Sequence, residues 1–208
     1  QAAIDILREM ATNHRPADRV IAYYFKQNRY IGSKDKKVIA EAVYGVLRHQ
    51  GFIDWALEGV QVPPKPRSRV AAWLLLWQKE KDLRTIFDGE KYSPQKLWRT
   101  EKPLIEIKKY VSQHKKDMPF QARFNLPAWL EPMLQQACGE DLPQLAEAMA
   151  QQAPADVRAN TLKTNKETLQ VRLADAGARP IKAPFVPTAA RLEERKNLFE
   201  LAEFKEGL

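Results

Sequence analysis

Apolar residues recur at helical spacing from Ala2 to about Gln152, with prolines and glycines at the breaks, which predicts an all-α region. Ile4, Leu7 and Met10 stripe a first helix. Pro16 opens a second, at a position where a missing N–H costs nothing, and Val20, Tyr23, Tyr24 and Gln27 extend it. Ser33 is the expected N-cap of a third helix, with Asp35 in its first turn. Its pairs Val38/Ile39, Ala42/Val43 and Val46/Leu47 repeat every four residues, a face broad enough for a central, largely buried helix. Gly45 lies inside that helix, where glycine costs about 1 kcal/mol against alanine, so the close approach of another backbone is expected there.

Phe52, Ile53, Trp55, Ala56 and Leu57 form a further helix, ended by Gly59 and the extended connector Pro63-Pro64-Lys65-Pro66. Val70 to Trp77 is apolar on every side; for so short a run this means burial in a bundle. From Asp88 to Pro103 the pattern degrades around Tyr92 and Trp98, and a loop with one short helix is expected. Leu104 to Tyr110 restores helical spacing. Leu126-Pro127-Ala128-Trp129-Leu130 begins a pair of helices ending near Gln152, with Pro127 and Pro143 at helix starts.

At Pro154 the pattern changes. Asp156 to Leu162 alternates polar and apolar side chains as a strand does, and Asn165 stands as N-cap of a helix over Lys166–Ala176, with Glu167 in its first turn. Leu169, Leu173 and Ala176 share one side and Gly177 closes it. Arg179–Ala183 and Ala190–Glu193 read as short strands, and Ala183-Pro184-Phe185-Val186-Pro187 as a turn or edge segment. The expected fold class is mainly α: a helical bundle over residues 1–150, then a small α+β unit over 151–208. A unit that small is marginal alone. Since Phe204-Lys205-Glu206-Gly207-Leu208 supplies no obvious finish, the chain reads as a fragment.

The longest apolar run, Val70 to Trp77, is far shorter than the roughly 20 residues that span a bilayer. With charged Asp5, Arg8 and Glu9 interrupting the first helix, neither a membrane span nor a secretory signal is read, and a cytoplasmic location is the default. A single cysteine, Cys138, cannot form an internal disulfide, and no Cys/His cluster has metal-ligand spacing. The net charge is +8. Residues 65–116 hold 14 basic and 6 acidic side chains, an excess equal to that of the whole chain, as expected of either a local phosphate-facing surface or a solvated helical face.

The stretch Ser33-Lys34-Asp35-Lys36-Lys37-Val38-Ile39-Ala40-Glu41-Ala42-Val43-Tyr44-Gly45-Val46-Leu47-Arg48, continued by Phe52-Ile53-Asp54-Trp55-Ala56-Leu57, resembles the central helix of NusB-like domains. Leu126-Pro127-Ala128-Trp129-Leu130, Arg158-Ala159-Asn160-Thr161-Leu162-Lys163-Thr164-Asn165 and the closing Phe204-Lys205-Glu206-Gly207-Leu208 resemble, in that order, segments of Sun-type (RsmB-like) RNA cytosine-5 methyltransferases. The resemblance implies a NusB-like helical bundle and a small RNA-recognition-like unit, followed in the parent protein by a Rossmann-type catalytic domain. It also implies methyl transfer from S-adenosylmethionine to cytosine C5 of RNA, with ribosomal RNA the expected substrate, and two catalytic cysteines with a nearby aspartate.

The family's catalytic motifs are absent. Cys138, in Gln136-Ala137-Cys138-Gly139-Glu140, does not stand in a family catalytic setting and reads as a packing residue, and no Gly-rich turn follows a strand. No catalytic, cofactor-binding or metal residue is therefore assigned, and the segment is expected to be inactive alone. Its expected partners are RNA and its own C-terminal catalytic domain. A NusB-like antitermination module is the competing reading, and a protein-interaction scaffold the third.

Candidate RNA contacts are Arg158, Asn160 and Lys163, which alternate nearly onto one strand face, though without the aromatic rings an RNA-recognition sheet displays. The bland alternative has Asn160 bonding nearby backbone and both cations solvated. Lys34, Lys36, Lys37 and Arg48 flank the third helix, and Arg67, Arg69, Lys108, Lys109, Lys115 and Lys116 stand in the basic block. Histidines 14, 49 and 114 read as surface or capping groups. Trp55, Trp73, Trp77 and Trp129 read as core, while Trp98, among Lys96, Arg99 and Lys102, is the tryptophan placed to stack on a base.

Overall fold

In the computed structural model, which describes residues 1–208 apart from 14, 79, 81, 152, 195 and 196, two units separate at Gln1–Ala150 and Gln151–Leu208. The first is helical: α1 (Ala2–Asn13), α2 (Ala17–Gln27), α3 (Ser33–Arg48), α4 (Gln50–Gly59) and α5 (Pro66–Leu76) form the bundle. After a stretch without α-helix come α6 (Ile107–His114), α7 (Phe120–Phe124), α8 (Glu131–Cys138) and α9 (Leu142–Met149). Helix α1 packs on α2, α3 and α5, and α4 packs on α5, α6 and α7. The core they enclose is mostly aliphatic, with Trp73 and Phe87 among it; Ile6, Val43, Val46, Ile53, Leu57 and Ile107 are sealed from solvent. Each such side chain contributes about 1.5–3 kcal/mol over leaving it exposed.

Helix α5 is buried around its circumference, as its uniform apolarity demands. Pro66 starts it and Ser68 secures the entry, donating to Pro63 O at 2.6 Å and accepting the Lys65 amide at 2.9 Å. Gly45 of α3 faces the indole of Trp73, which occupies the space a Cβ would need. The close neighbour is thus a side chain and not the expected backbone. In α3 the buried stripe is Ala42, Val43, Gly45 and Val46, while Val38 stays exposed because the first turns project beyond the core. Gly32, not Ser33, holds the N-cap position, with no side-chain cap.

The expected loop at 88–103 is irregular until Arg99–Glu106, which coil as a 3-10 helix leading into α6. Trp73 is core, and Trp55 and Trp77 pack partly buried against it. Trp129 is a correction: it lies in the single 3-10 turn Ala128–Leu130 ahead of α8 and is 69% exposed. Helix α9 ends at Met149; the expected limit at Gln152 lies outside the described residues.

The second unit is a split βαβ. Strand β1 (Ala155–Arg158) leads through α10 (Lys166–Asp175) to β2 (Pro180–Lys182), and β3 (Ala189–Leu192) lies between the two strands, antiparallel to both. Asn165 caps α10 as expected, its side chain accepting the Thr168 amide at 2.8 Å. At the far end Ala178 N–H bonds Leu173 O at 2.8 Å around Gly177, whose φ is +73°. Leu169 and Leu173 of α10 meet Leu192 and Ala159 in a small core that Leu198 and Leu201 extend. The short helix α11 (Ala202–Glu206) follows.

Candidate nucleic-acid interface

Of the basic groups on α3, Lys34 and Lys37 are exposed, Lys36 and Arg48 are half-buried, and the Lys36 ammonium lies 5.8 Å from the Phe25 ring centre. The basic block is less free than its composition suggests. Arg69 forms a two-pronged pair with Asp54 of α4 at 2.7 and 2.8 Å, Lys108 donates to Glu80 O at 2.8 Å, and Lys109 stands 3.9 Å from Glu106. Lys115 and Lys116 form an exposed 3-10 turn after α6.

Arg67 is a correction to its role as a surface contact, because it points inward and is buried. Its Nε donates to Glu101 Oε1 at 2.8 Å, and Nη2 donates to the carbonyls of Gln95 and Lys96 at 2.6 and 3.1 Å. The rings of Phe87 and Trp98 lie 4.7 and 4.8 Å from the guanidinium carbon. Glu101 also accepts the Trp98 amide at 2.9 Å, so one buried ion pair fixes the 95–101 segment against α5. Trp98 is 54% exposed but is already engaged with Arg67.

His49 is half-buried and stacks on Trp77 with ring centres 4.3 Å apart; burial, then the nearby Arg48 charge, lowers its pKa from the ordinary value. His114 follows the capping expectation, with Nδ1 3.0 Å from Tyr110 O. His14 lies outside the described residues. Cys138 is half-buried at the end of α8.

In the second unit the strand stops four residues earlier than its alternation predicts. Asn160 ends it: its side-chain oxygen accepts the Leu162 amide at 3.2 Å and its carbonyl accepts the amides of Lys163 and Thr164, both at 2.9 Å. The chain turns, leaving Leu162 95% exposed, so Arg158, Asn160 and Lys163 do not share a strand face. Asn160 Nδ2 donates to Gly207 O at 2.8 Å and Lys163 Nζ to Glu206 O at 2.7 Å, satisfying carbonyls that the end of α11 leaves open. Gly207 takes φ +71°, with Lys163 Nζ 3.2 Å from where a Cβ would stand. Arg172 of α10 adds ion pairs to Glu206 at 2.8 Å and to the buried Glu203 at 3.5 Å.

Arg158 remains exposed on the open sheet face beside Asp156 and Arg191. Those two pair at 2.7 and 2.8 Å, and Arg191 holds the Asp156 carboxyl below its ordinary range. None of the strands carries an aromatic residue, so the sheet lacks a stacking surface.

A Rossmann-type site for a nucleoside-bearing cofactor brings backbone close to it through a Gly-rich turn between strand and helix. The turn from β1 to α10, Asn160–Asn165, has no glycine, and neighbouring strands are antiparallel, so these residues do not fit S-adenosylmethionine. Among the described residues no three His, Cys, Asp or Glu side chains gather as a metal site, and no helix is long and apolar enough to cross a membrane.

Sequence pattern gave no role to Tyr30 and Tyr92. They meet on the surface of the first unit, in contact and yet each 65% exposed. Both lie in turns outside any amphipathic stripe, where periodicity carries no information; the one usable signal was an aromatic in a polar loop.

Residues 126–198 match the family described as Methyltr_RsmF/B-like, ferredoxin-like domain. The β1-α10-β2-β3 order is the split βαβ from which such folds are built. Over an alignment 203 positions long that covers 85% of it, the chain is 25% identical to proteins named Ribosomal RNA small subunit methyltransferase B from Shigella flexneri and from Shigella flexneri serotype 5b (strain 8401). It spans 44% of the length of these relatives. A solved structure titled Crystal Structure of PH0851 matches the fold with a TM-score of 0.60 at 19% identity, covering 99% of this chain and 50% of that one. The chain is therefore homologous to ribosomal RNA small subunit methyltransferase B over most of its length, and its residues 126–198 match the ferredoxin-like domain of the RsmF/B-like methyltransferases.

Proposed function

We propose that this chain is the RNA-binding, substrate-positioning part of a methyltransferase acting on ribosomal RNA. The single observation that carries the reading is the homology over 85% of the chain to ribosomal RNA small subunit methyltransferase B. In this reading methyl transfer from S-adenosylmethionine to cytosine C5 is done by residues outside the chain, in keeping with the poor fit of the β1–α10 turn to that cofactor. The helical unit corresponds to a NusB-like domain.

Exposed cations not drawn into internal pairs then supply affinity through counterion release: Lys34 and Lys37 on α3, Lys115 and Lys116 after α6, and Arg158 on the sheet. Phosphate contact is favoured over base reading because the sheet has no aromatic rings. Replacing Lys34, Lys37, Lys115 and Lys116 together by glutamate tests this in a filter-binding assay with small-subunit ribosomal RNA fragments. Affinity should fall for every fragment, and the slope of log K against log salt should shrink by about 0.9 for each phosphate no longer neutralised. An unchanged affinity and slope would reject this footprint.

A further inference from the structure

The segment Asp88–Pro94 folds back on itself: Gly89 N–H bonds Pro94 O at 3.0 Å, and Ser93 N–H bonds Glu90 O at 2.9 Å. The second bond closes a four-residue turn, Glu90-Lys91-Tyr92-Ser93. Its third residue, Tyr92, has φ +75°, the positive φ that the third position of a type II turn takes. That third position calls for glycine or asparagine, because a side chain there crowds the backbone. The sequence instead holds a tyrosine in a strained conformation and leaves its ring 65% exposed, so burial does not compensate the strain. Strain retained at an exposed aromatic points to a use for the ring.

The ring of Tyr30 stands 5.4 Å away, centre to centre, tilted by 34°. Tyr30 comes from the turn that follows α2, where Ile31 N–H bonds Asn28 O at 3.1 Å, and it too is 65% exposed. A basic residue precedes each ring in the chain. Lys91 Nζ lies 5.2 Å from the Tyr92 ring centre, and exposed Arg29 precedes Tyr30 in the chain. Of the acids nearby, Asp88 is turned to its own loop, accepting the Glu90 amide at 2.9 Å, and Glu90 opens the turn. Two exposed rings with basic neighbours are what an unpaired nucleotide needs: a face to stack on, and charge for the adjoining phosphate.

We propose that Tyr30 and Tyr92 form a stacking platform for an unpaired base of RNA, with Arg29 and Lys91 holding the adjoining phosphates. This rests on the RNA-binding reading above and sharpens it, because the platform engages unpaired RNA and has no purchase on a duplex whose bases are already stacked. A protein partner is the less favoured occupant, since the basic neighbours add nothing to purely apolar docking.

The test compares an unpaired RNA of about 12 nucleotides with a duplex RNA of equal phosphate count. Tyr30→Ala and Tyr92→Ala should each weaken binding of the unpaired RNA by roughly 5- to 150-fold and leave duplex binding unchanged, while Tyr30→Phe and Tyr92→Phe keep wild-type affinity. Tyr92→Gly separates function from folding: it relaxes the backbone and should raise the melting temperature while lowering affinity for unpaired RNA. A lower melting temperature with unchanged affinity would make the pair a structural clasp and overturn the inference. Equal losses on both RNAs would overturn it also. Wild-type protein that binds neither RNA would sink the RNA-binding reading itself, whereas wild-type binding that every tyrosine variant retains would sink only the platform.

Discussion

Replacing Arg67 by alanine removes the cation from a site where Glu101 is almost sealed: their side chains are 10% and 7% exposed. Glu101 keeps one donor, the Trp98 amide, but loses its charge partner, and the carbonyls of Gln95 and Lys96 lose theirs. Breaking such a buried pair from one side costs about 3–5 kcal/mol, and the retained amide bond favours the lower end. For a domain of this size each kcal/mol lowers the melting temperature by about 2–4 °C, so a fall on the order of 10 °C is expected by calorimetry. The double variant Arg67→Met/Glu101→Leu removes both charges, fills the space, and should recover most of the loss. In that double variant RNA affinity should stay within about twofold of wild type, with the same salt slope. If Arg67→Ala left the melting temperature unchanged but weakened RNA binding and cut the slope by about 1, the inward placement would be refuted and Arg67 would be a phosphate contact.

Gly45→Ala gains about 1 kcal/mol of helix propensity but forces a methyl against the Trp73 indole, a clash costing about 1–3 kcal/mol, so net destabilisation is expected by urea unfolding. Combined with Trp73→Leu it should cost less than the sum of the single variants, and simple additivity would refute the contact. Asn160→Ala loses the bonds to Gly207 O and the Leu162 amide, about 0.5–1.5 kcal/mol each; hydrogen exchange of the amides in 204–207 should speed up, and unchanged protection would count against the Asn160–Gly207 bond. His49 has a folded-state pKa below its ordinary value of about 6.5, so as pH falls through 6.5 the unfolded chain takes up a proton that the folded chain resists. Stability is therefore complete above that pH and declines below it, until the folded pKa is passed. Between about pH 7.5 and pH 5 the melting temperature of wild type should drop further than that of His49→Phe; parallel curves would contradict the burial effect.

The helical half was legible because its apolar stripes are long and its breaks are marked by proline and glycine; α5 could be recognised as buried from its uniform composition alone. Asn165 and Gly177 announced both ends of α10, since capping is local chemistry. Sequence misled where local bonding overrode periodicity. The alternation through Leu162 mimics a strand, yet the side chain of Asn160 turns the chain after Arg158, and nothing in the pattern reveals that Gly207, 47 residues later, is its partner. Arg67 failed as a surface residue for a related reason: charge counting cannot see Glu101, 34 residues away, closing a buried pair. Trp129 and Val38 obeyed helical spacing but fell on turns beyond the core.

The most direct test is the affinity of the unmodified chain for small-subunit ribosomal RNA fragments, measured from about 50 to 200 mM salt. Binding that weakens steeply and linearly on a log–log scale is expected of a part that holds RNA by its phosphates. No binding at low salt, or binding indifferent to salt, would contradict the role proposed for this chain.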